Sequence, residues 1–508
     1  MNESSTQKSI GFDALYQYAG VSVQVISGAV FYLALTRLFT TSQVGAIALF
    51  VAINGLFNIV FQLGLGRGAQ HFISYYIGRH DLRSAKKVLL KIVSYGFIFS
   101  ILSYIAIYLL SGDISLLLLK DERIHLAILR LLGIVVFGNV LFGVLNSSLL
   151  GLQKFKLSAI INIIVWTCYY LIAFVFAFIG GSLLYIILGW VVGILAGVAI
   201  EFASIIKIIS SYAGGGNSTP SRVIFYYSIP VFLFSITSFG ASYADRFIVA
   251  GFMALSQLGI YNIALLISSS INFIITPFGN ILLPKFSELY GLGKKDAIRN
   301  NFRVASLLLS YVFVPAALGV ISISGPLIST LAGVRYVGAM WPLDIIMFSA
   351  ALFVVFNISI QALASIRKTR VLIFTSSSSF TINVSLSLLL IPSFGTIGAA
   401  VGYISVYVTN FFTLFYFAHK YEVSSIDFKG LTKIWISSLA MFFFLKGVTL
   451  LAPYPPYLIP IYILGGLIIY ILLGSIMKIF VDQDKELVIS LFPIRNSRIR
   501  SFLTLLLR

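Results

Sequence analysis

Charged residues are scarce in this chain of 508 residues: Asp, Glu, Lys and Arg together make up only 10% of it. There is a single cysteine, Cys168, so no disulfide can form within the chain. No glycine-rich Walker loop is present to cradle phosphates, which argues against ATP as an energy source. The polar N-terminal stretch does not resemble a cleaved signal peptide, and we predict none.

Apolar residues, by contrast, make up 59% of the chain and recur in runs of about twenty, the length needed to cross a hydrocarbon core. Long period-two alternation is missing, so these runs predict helices rather than barrel strands. The fold class is therefore an all-α polytopic membrane protein. We predict about fourteen transmembrane helices, at residues 15–35, 45–66, 89–110, 125–149, 157–179, 183–206, 224–245, 258–281, 304–324, 344–365, 371–391, 397–417, 431–452 and 457–480.

The distribution of basic residues supports this topology. With a cytoplasmic N-terminus, 28 of the 35 Lys and Arg residues fall in inner segments and seven in outer ones. The net charge of +19 is then a topological signal, and nucleic-acid binding is not needed to explain it. We predict a multi-pass protein of the cell (plasma or inner) membrane with both termini in the cytoplasm.

An internal repeat divides the chain. SQVGAI at 42–47 returns as SQLGIY at 256–261, and GRHD at 78–81 has its counterpart in GKKD at 293–296, at nearly the same separation. Because six helices is an even number, both copies enter the membrane from the same side, which predicts parallel repeats. We predict a six-helix lobe at 1–212, a cytoplasmic linker at 213–222, a second six-helix lobe at 223–420, two extra helices within 421–480 and a basic cytoplasmic tail at 481–508.

Polar side chains inside the spans are candidate cavity residues. Asn54, Asn58 and Gln62 recur every fourth residue in the second span and form a stripe on one helix face. The eighth span carries Ser268, Asn272 and Thr276 at the matching positions, and Asn280 continues this stripe. Such amides either join neighbouring helices or line a cavity that binds substrate, and their presence in both copies favours the cavity.

Two arginines, Arg37 and Arg246, and the acid Asp245 complete the candidate substrate site. Arg37 lies in TRLF at the end of the first span and Arg246 in DRFI at the end of the seventh. Snorkelling to headgroup phosphates is the alternative explanation, and it is weaker for Arg246 because Asp245 adjoins it. On a helix the two side chains diverge by about 100°, so each should have another partner.

Acidic residues within spans are the candidates for ion coupling. Asp245 and Glu201 are the two that we select, and Asp344 is a third. Glu201 and Asp344 lie near predicted helix ends, where we expect solvent to reach them. We predict no metal and no cofactor; whether H⁺ or Na⁺ drives the cycle is left open.

A family resemblance is carried by ADRFIVAGFMALSQLGIYNIALLI and PFGNILLPKFSELYGLGKKD and, in the first half, by LTRLFTTSQVGAIALF. These segments resemble the polysaccharide transporter (O-antigen flippase type) family of the multidrug, oligosaccharidyl-lipid and polysaccharide exporter superfamily. The resemblance implies a V-shaped fold of two lobes. It also implies a flippase that moves an oligosaccharide, linked to polyprenyl phosphate or pyrophosphate, from the inner to the outer leaflet by alternating access.

Two alternatives stay open beside the flippase. One is a multidrug or other small-molecule antiporter of the same fold, which would be coupled to a cation. The other is an oligosaccharide polymerase or glycosyltransferase, for which the outer loops are poor candidates because 36–44, 179–183 and 452–457 contain no acid. The expected partners are the lipid-linked substrate, membrane lipids and enzymes of glycan assembly, with no nucleic acid.

Overall fold

The computed structural model describes residues 3–119, 124–213, 219–451 and 458–480. Within these ranges the side chains of 3–15, 124–125, 271–274, 276–278, 280 and 450–451 are outside the description. The predicted basic tail at 481–508 and the middle of the predicted linker, 214–218, also lie outside the described residues.

The described residues form α-helices, with one short π-helical segment, one 3-10 segment and no β-strand, so the all-α prediction is confirmed. The helices are α1 (Glu3–Leu38), α2 (Thr41–Gln62), α3 (Leu65–Gly78), α4 (Leu82–Ile114), α5 (Ile124–Gly151), α6 (Phe155–Gly180), α7 (Leu183–Ile209), α8 (Ser221–Phe252), α9 (Leu255–Gly291), α10 (Lys295–Ser322), α11 (Ser324–Leu331), α12 (Met340–Phe353), α13 (Phe356–Ser365), α14 (Thr369–Lys420), α15 (Phe428–Leu451) and α16 (Ile459–Met477).

Twelve segments of the described chain are helical, long and apolar enough to cross a membrane. This number is compatible with fourteen spans. One of the twelve, α14, is 52 residues long, bends where Gly395 leaves the helical conformation, and contains two predicted spans. A further predicted span, 258–281, lies within α9. The chain is therefore a multi-pass membrane protein.

The chain divides into two compact units. Unit 1 comprises Met1–Phe239 and Ala254–Gly259, and unit 2 comprises Gly240–Met253 and Ile260–Arg508. In unit 1, α6 packs between α1 and α7, and α5 packs against α3, α4 and α7. In unit 2, α10 packs against α12 and α15, and α14 packs against α12 and α13.

The backbone repeats the landmarks of the sequence. Residues with a left-handed conformation lie at 80 and 293, at 153 and 367, and at 181 and 395, and the separation within each pair is the same to within one position. Two of these pairs differ in residue type, since one sets His80 against Gly293 and another Gln153 against Arg367. The ends of α1 and α8, at Leu38 and Phe252, have that separation too.

The glycines of SQVG and SQLG have a common packing role. A Cβ added to Gly45 would collide with the carbonyl oxygen of Leu255, and one added to Gly259 would collide with that of Thr41. All four residues belong to unit 1. The two motifs thus allow the first turns of α2 and α9 to cross with their backbones in contact, and any side chain at either glycine would prevent it.

A break lies near the end of the predicted second span, 45–66. Leu63 and Gly64 adopt left-handed conformations, with φ of 47° and 73°, and separate α2 from α3. The Cα of Gly64 approaches the carbonyl of Ser228 so closely that no Cβ would fit. Packing of α3 against the start of α8 therefore selects glycine here, and hydropathy alone does not reveal the break.

Two lysines on α4 bind backbone carbonyls in and next to the predicted linker, 213–222. Lys86 Nζ donates to the carbonyl oxygen of Tyr212 at 2.9 Å, and Lys91 Nζ donates to that of Thr219, also at 2.9 Å. The hydroxyls of Tyr95 and Ser221 lie 2.6 Å apart. These lysines thus have a structural role in addition to the one that the predicted topology gives them.

Candidate functional site

A buried acid in unit 2 forms the centre of the candidate site. Asp245 on α8 has no exposed surface, and its Oδ2 accepts a hydrogen bond of 2.5 Å from the hydroxyl of Tyr261 on α9. Its other oxygen, Oδ1, has no hydrogen-bond partner among the described residues. A carboxylate removed from water is costly unless it is paired, so Asp245 is poised to hold a proton or a small cation.

The adjacent arginine points elsewhere. Arg246 Nη1 donates to the carbonyl oxygen of Ser242 at 2.7 Å, and its Cζ lies 4.0 Å from the centre of the Tyr243 ring. The side chain is half-buried. No ion pair joins it to Asp245 in the described part of the chain. The side chains of Asp245 and Arg246 therefore diverge, as expected for neighbours on a helix, and each has its own partners.

The first half of α14 adds two polar residues that sequence reasoning missed. Asn383 Nδ2 donates to the carbonyl oxygen of Ala241, one turn before Asp245, at 2.9 Å, and Ser387 Oγ donates to Asn383 Oδ1 at 2.9 Å. Both side chains are fully buried. Their spacing of four residues inside an apolar span was the signal that could have identified them.

Two tyrosines from the second half of α14 also border the site. Tyr403 interacts electrostatically with both Arg246 and Asp245, and its ring meets that of Tyr407 edge to face, with centroids 5.7 Å apart. Aromatic rings carrying hydroxyls offer both a stacking face and a hydrogen-bonding edge. The site therefore combines an acid, an arginine, an amide and several phenols within one unit.

The matching polar set on α9 is described only in part. Ser268 Oγ donates to the carbonyl oxygen of Leu265 in the same helix at 3.0 Å. Asn272, Thr276 and Asn280 all lie on α9, but their side chains are outside the described part of the structure. Their assignment to a substrate cavity stays a prediction.

The stripe in unit 1 makes contacts within that unit. Asn54 Oδ1 accepts from Asn139 Nδ2 on α5 at 3.2 Å, and Gln62 Nε2 donates to Asn58 Oδ1 at 3.3 Å. All three stripe residues are half-buried, so part of each amide is accessible. Asn139 is a further residue that the sequence analysis missed.

Arg37 and Arg246 are not at equivalent positions. Arg37 is exposed in the last turn of α1, whereas Arg246 is six residues before the end of α8. Because the ends of these helices correspond in the repeat, Arg246 lies about 7 Å further along its helix from the end, at roughly 1.5 Å per residue. The position of Arg37 agrees with an interfacial side chain, and that of Arg246 with a side chain inside the unit.

The expectation that solvent reaches Glu201 is wrong. Glu201 has no exposed surface, because α5 and α6 cover this part of α7. Asn146 Nδ2 donates to its Oε1 at 2.6 Å, and its Oε2 has no partner among the described residues. Asp344 is also half-buried rather than solvated. Proximity to a helix end in the sequence does not reveal which neighbouring helices cover that end.

Comparisons with known proteins agree with this architecture. The structure is similar to that of the lipid II flippase MurJ in its inward closed conformation, with a TM-score of 0.74 and 16% sequence identity, over 91% of this chain and 98% of that chain. It is also similar to an inward-facing multidrug resistance MATE family transporter of the MOP superfamily, with a TM-score of 0.66 and 14% identity, over 80% of this chain and 98% of that chain. At such identities the likeness shows the fold.

Sequence comparison gives a relative and a family. An uncharacterised membrane protein of Methanocaldococcus jannaschii is 26% identical over 221 residues, which is 42% of each chain, so the match spans less than half the length of this curated relative. The family model described as polysaccharide biosynthesis protein matches residues 34–340. The fold is thus that of a known flippase and of a known transporter. The chain belongs to the polysaccharide biosynthesis protein family.

Proposed function

We propose that this protein is a flippase that moves a lipid-linked oligosaccharide from the inner to the outer leaflet of the cell membrane. The carrier lipid would be a polyprenyl phosphate or pyrophosphate, and the product would serve the synthesis of a surface polysaccharide or glycan. The observation that carries the proposal is Arg246, a half-buried arginine on a membrane helix that has a tyrosine ring and a backbone carbonyl as partners.

Arg246 has the chemistry that a phosphorylated headgroup needs. Moving phosphates and sugar hydroxyls through hydrocarbon strips them of water at great cost unless other groups replace the lost hydrogen bonds. A guanidinium presents a planar fork that matches phosphate oxygens. The Nη1 bond to Ser242 leaves the remaining donors of Arg246 to be satisfied.

An apolar cavity in unit 2 suits the carrier's hydrocarbon tail. It has a volume of about 530 Å³ and lies among α10, α11, α15 and α16, with Tyr311, Met441 and Tyr470 among the residues lining it. Its lining is almost wholly apolar, as expected for a site that holds a lipid chain.

Transport would proceed by alternating access, with a cation bound and released once per cycle. Asp245 is the coupling residue that we propose, because its Oδ1 is buried and has no partner among the described residues. Either H⁺ or Na⁺ would satisfy that oxygen, and the source of energy would be the gradient of that ion. Glu201 is a second candidate on the same grounds.

A flipping assay with purified full-length protein tests the proposal. Proteoliposomes would contain a fluorescent polyprenyl-pyrophosphate oligosaccharide, and an impermeant quencher would report its arrival in the other leaflet. We expect Arg246→Ala to abolish flipping and Arg246→Lys to retain part of it. Arg299→Ala is the control, because Arg299 is exposed and at most weakly paired with Asp296, 4.0 Å away. Normal flipping by Arg246→Ala would refute the assignment.

A second candidate is a cation-coupled antiporter of drugs or other small molecules. The buried Asp245–Tyr261 pair favours it, because one deep acid beside aromatic rings could bind an organic cation. Uptake of a fluorescent organic cation into the same proteoliposomes, driven by an imposed proton or sodium gradient, distinguishes the two. Uptake that requires Asp245, without any lipid flipping, would establish the antiporter and reject the flippase.

A further inference from the structure

The helix α3 presents an exposed row of cationic and aromatic side chains. Arg67, His71, Tyr75 and Arg79 follow one another at every fourth residue, and each is exposed. The opposite face of α3 is buried through Leu65, Ala69 and Ile73, among others. We call these four exposed residues the α3 stripe.

Contacts with aromatic rings orient the side chains of the α3 stripe. The His71 ring stacks on that of Tyr227 at the start of α8, with centroids 4.5 Å apart and planes inclined by 11°. Gly68 allows this, because a Cβ there would lie 2.8 Å from Ser228 Oγ. Further along the stripe, Arg79 Cζ lies 4.5 Å from the centre of the Tyr75 ring. These side chains are therefore oriented before any ligand arrives.

The positive charge of the stripe is not neutralised by a neighbouring acid. Arg67 Nη1 donates to the neutral amide of Gln70 at 3.3 Å. No ion pair in the described part of the chain involves Arg67, His71 or Arg79. A cationic surface of this kind, with donors still to be satisfied, is a candidate site for an anion.

The internal repeat shows that the fold does not require this stripe. At the equivalent positions of the second copy, Arg67, His71 and Tyr75 are replaced by Ile281, Lys285 and Leu289. Lys285 is the only cation among the three, and its Nζ is paired with Glu288 at 3.2 Å. A packing requirement common to both copies would have produced similar residues in both.

The length of α2 places the start of the stripe at the level expected for lipid phosphates. The 22 residues of α2 span about 33 Å, which crosses the hydrocarbon core, so α3 begins at a membrane interface. The predicted topology makes this the inner interface. A lipid-linked substrate waiting in the inner leaflet would hold its phosphates at this depth.

We propose that the α3 stripe binds the phosphate groups and first sugar of the lipid-linked substrate in the inner leaflet, before translocation. This inference rests on the proposed flippase function and adds a capture site to it. Arg67 and Arg79 would bind phosphate oxygens, and His71 would donate from its ring edge. The ring of Tyr75 offers a face for a sugar.

Lipid retention in nanodiscs tests the inference. Full-length protein would be placed in phosphatidylcholine nanodiscs with increasing polyprenyl pyrophosphate, and native mass spectrometry would measure the fraction of protein that retains the lipid. We expect the Arg67→Ala/His71→Ala variant to need about tenfold more of this lipid for half-saturation, as for the loss of charge-assisted hydrogen bonds. Lys285→Ala is the matched control, at the position equivalent to His71, and should bind as the wild type does.

A second arm separates substrate capture from general attraction to anionic lipid. With phosphatidylglycerol in place of polyprenyl pyrophosphate, the double variant should retain as much lipid as the wild type. An equal loss for both lipids, or no loss for either, would overturn the inference. Arg67→Glu, which reverses one exposed charge, gives the same test if the double variant does not fold.

The outcome for the wild type separates this inference from the proposed function. If the wild type does not prefer polyprenyl pyrophosphate to phosphatidylglycerol, the flippase proposal itself loses its support. If the wild type shows the preference and the stripe variants keep it, only the capture site is rejected.

Discussion

Tyr261 Oη donates a 2.5 Å hydrogen bond to Asp245 Oδ2, and this bond joins α8 to α9 in unit 2. Neither side chain has any exposed surface. It is the sole hydrogen bond to the Asp245 carboxyl from another described side chain, since Oδ1 has no partner there.

Tyr261→Phe should destabilise the protein by about 1–3 kcal/mol, because both carboxyl oxygens of Asp245 would then be buried without a partner. We expect slower transport as well, since the proposed coupling residue would lose its orientation. Thermal unfolding in detergent and the flipping assay measure the two effects. Tyr290→Phe, at an exposed position on the same helix, serves as the control. Unchanged stability of Tyr261→Phe would show that the bond contributes little.

Gly45→Ala and Gly259→Ala should each disrupt the crossing of α2 and α9, because the new methyl group would overlap a carbonyl oxygen. Forced overpacking of this kind costs about 1–3 kcal/mol. The thermal midpoint should fall for both variants and stay unchanged for Gly251→Ala, whose Cβ would meet no atom within 4 Å. Equal midpoints for all three variants would contradict the contact.

Asn146→Ala should also lower stability, by about 1–3 kcal/mol, because it leaves both oxygens of the buried Glu201 carboxyl without a partner. Glu201→Gln should be milder, since an amide can keep the hydrogen bond to Asn146 after both groups reorient. Thermal midpoints of the purified variants are the measurement. Ser204→Ala is the reference, because the Ser204 hydroxyl donates to the Ile200 carbonyl within its own helix. A larger loss for Glu201→Gln than for Asn146→Ala would contradict this account.

Asp81 caps the N-terminus of α4 and should make the first turn of that helix sensitive to acid. Hydrogen bonds from Ser84 lower the pKa of the Asp81 carboxyl below its usual value of 3.8. A lowered pKa means that the cap stabilises α4 fully above the unfolded-state pKa. That stabilisation is lost as the pH falls through the lower, folded-state pKa.

Hydrogen exchange at the Ser84 amide measures the effect of the Asp81 cap. The amide should be better protected in the wild type than in Asp81→Ala at neutral pH. The difference should shrink as the pH falls below about 4. Protection that differs by the same amount at every pH would show that the charge of Asp81 has no part in the cap.

The helices could be predicted from the sequence because each transmembrane span is determined by its own composition. The repeat could also be predicted, since SQVG and SQLG are constrained by a backbone contact that admits glycine alone at Gly45 and Gly259. The break at Leu63 and Gly64 could not, because it depends on the approach of Ser228 from a helix far away in the sequence.

The partners of the site residues were beyond sequence reasoning for a similar reason. Asn139, Asn146 and Asn383 each bond a residue on another helix. A stripe on one helix predicts which face is polar but does not identify the residue that meets it. The burial of Glu201 could not be predicted for the same reason, because other helices, α5 and α6, cover it.

Residues with a left-handed backbone recur at matching positions of the two copies, and this recurrence indicates a duplication. Gln153 and Arg367 both hold that conformation, although neither is glycine and left-handed backbone costs a side-chain-bearing residue about 1 kcal/mol. Duplication therefore preserved the path of the chain while allowing the chemistry on it to drift. One copy has a buried acid beside an arginine at 245 and 246, where the other has Phe31 and Tyr32. The two copies therefore share a chain path but differ in the side chains that they place on it.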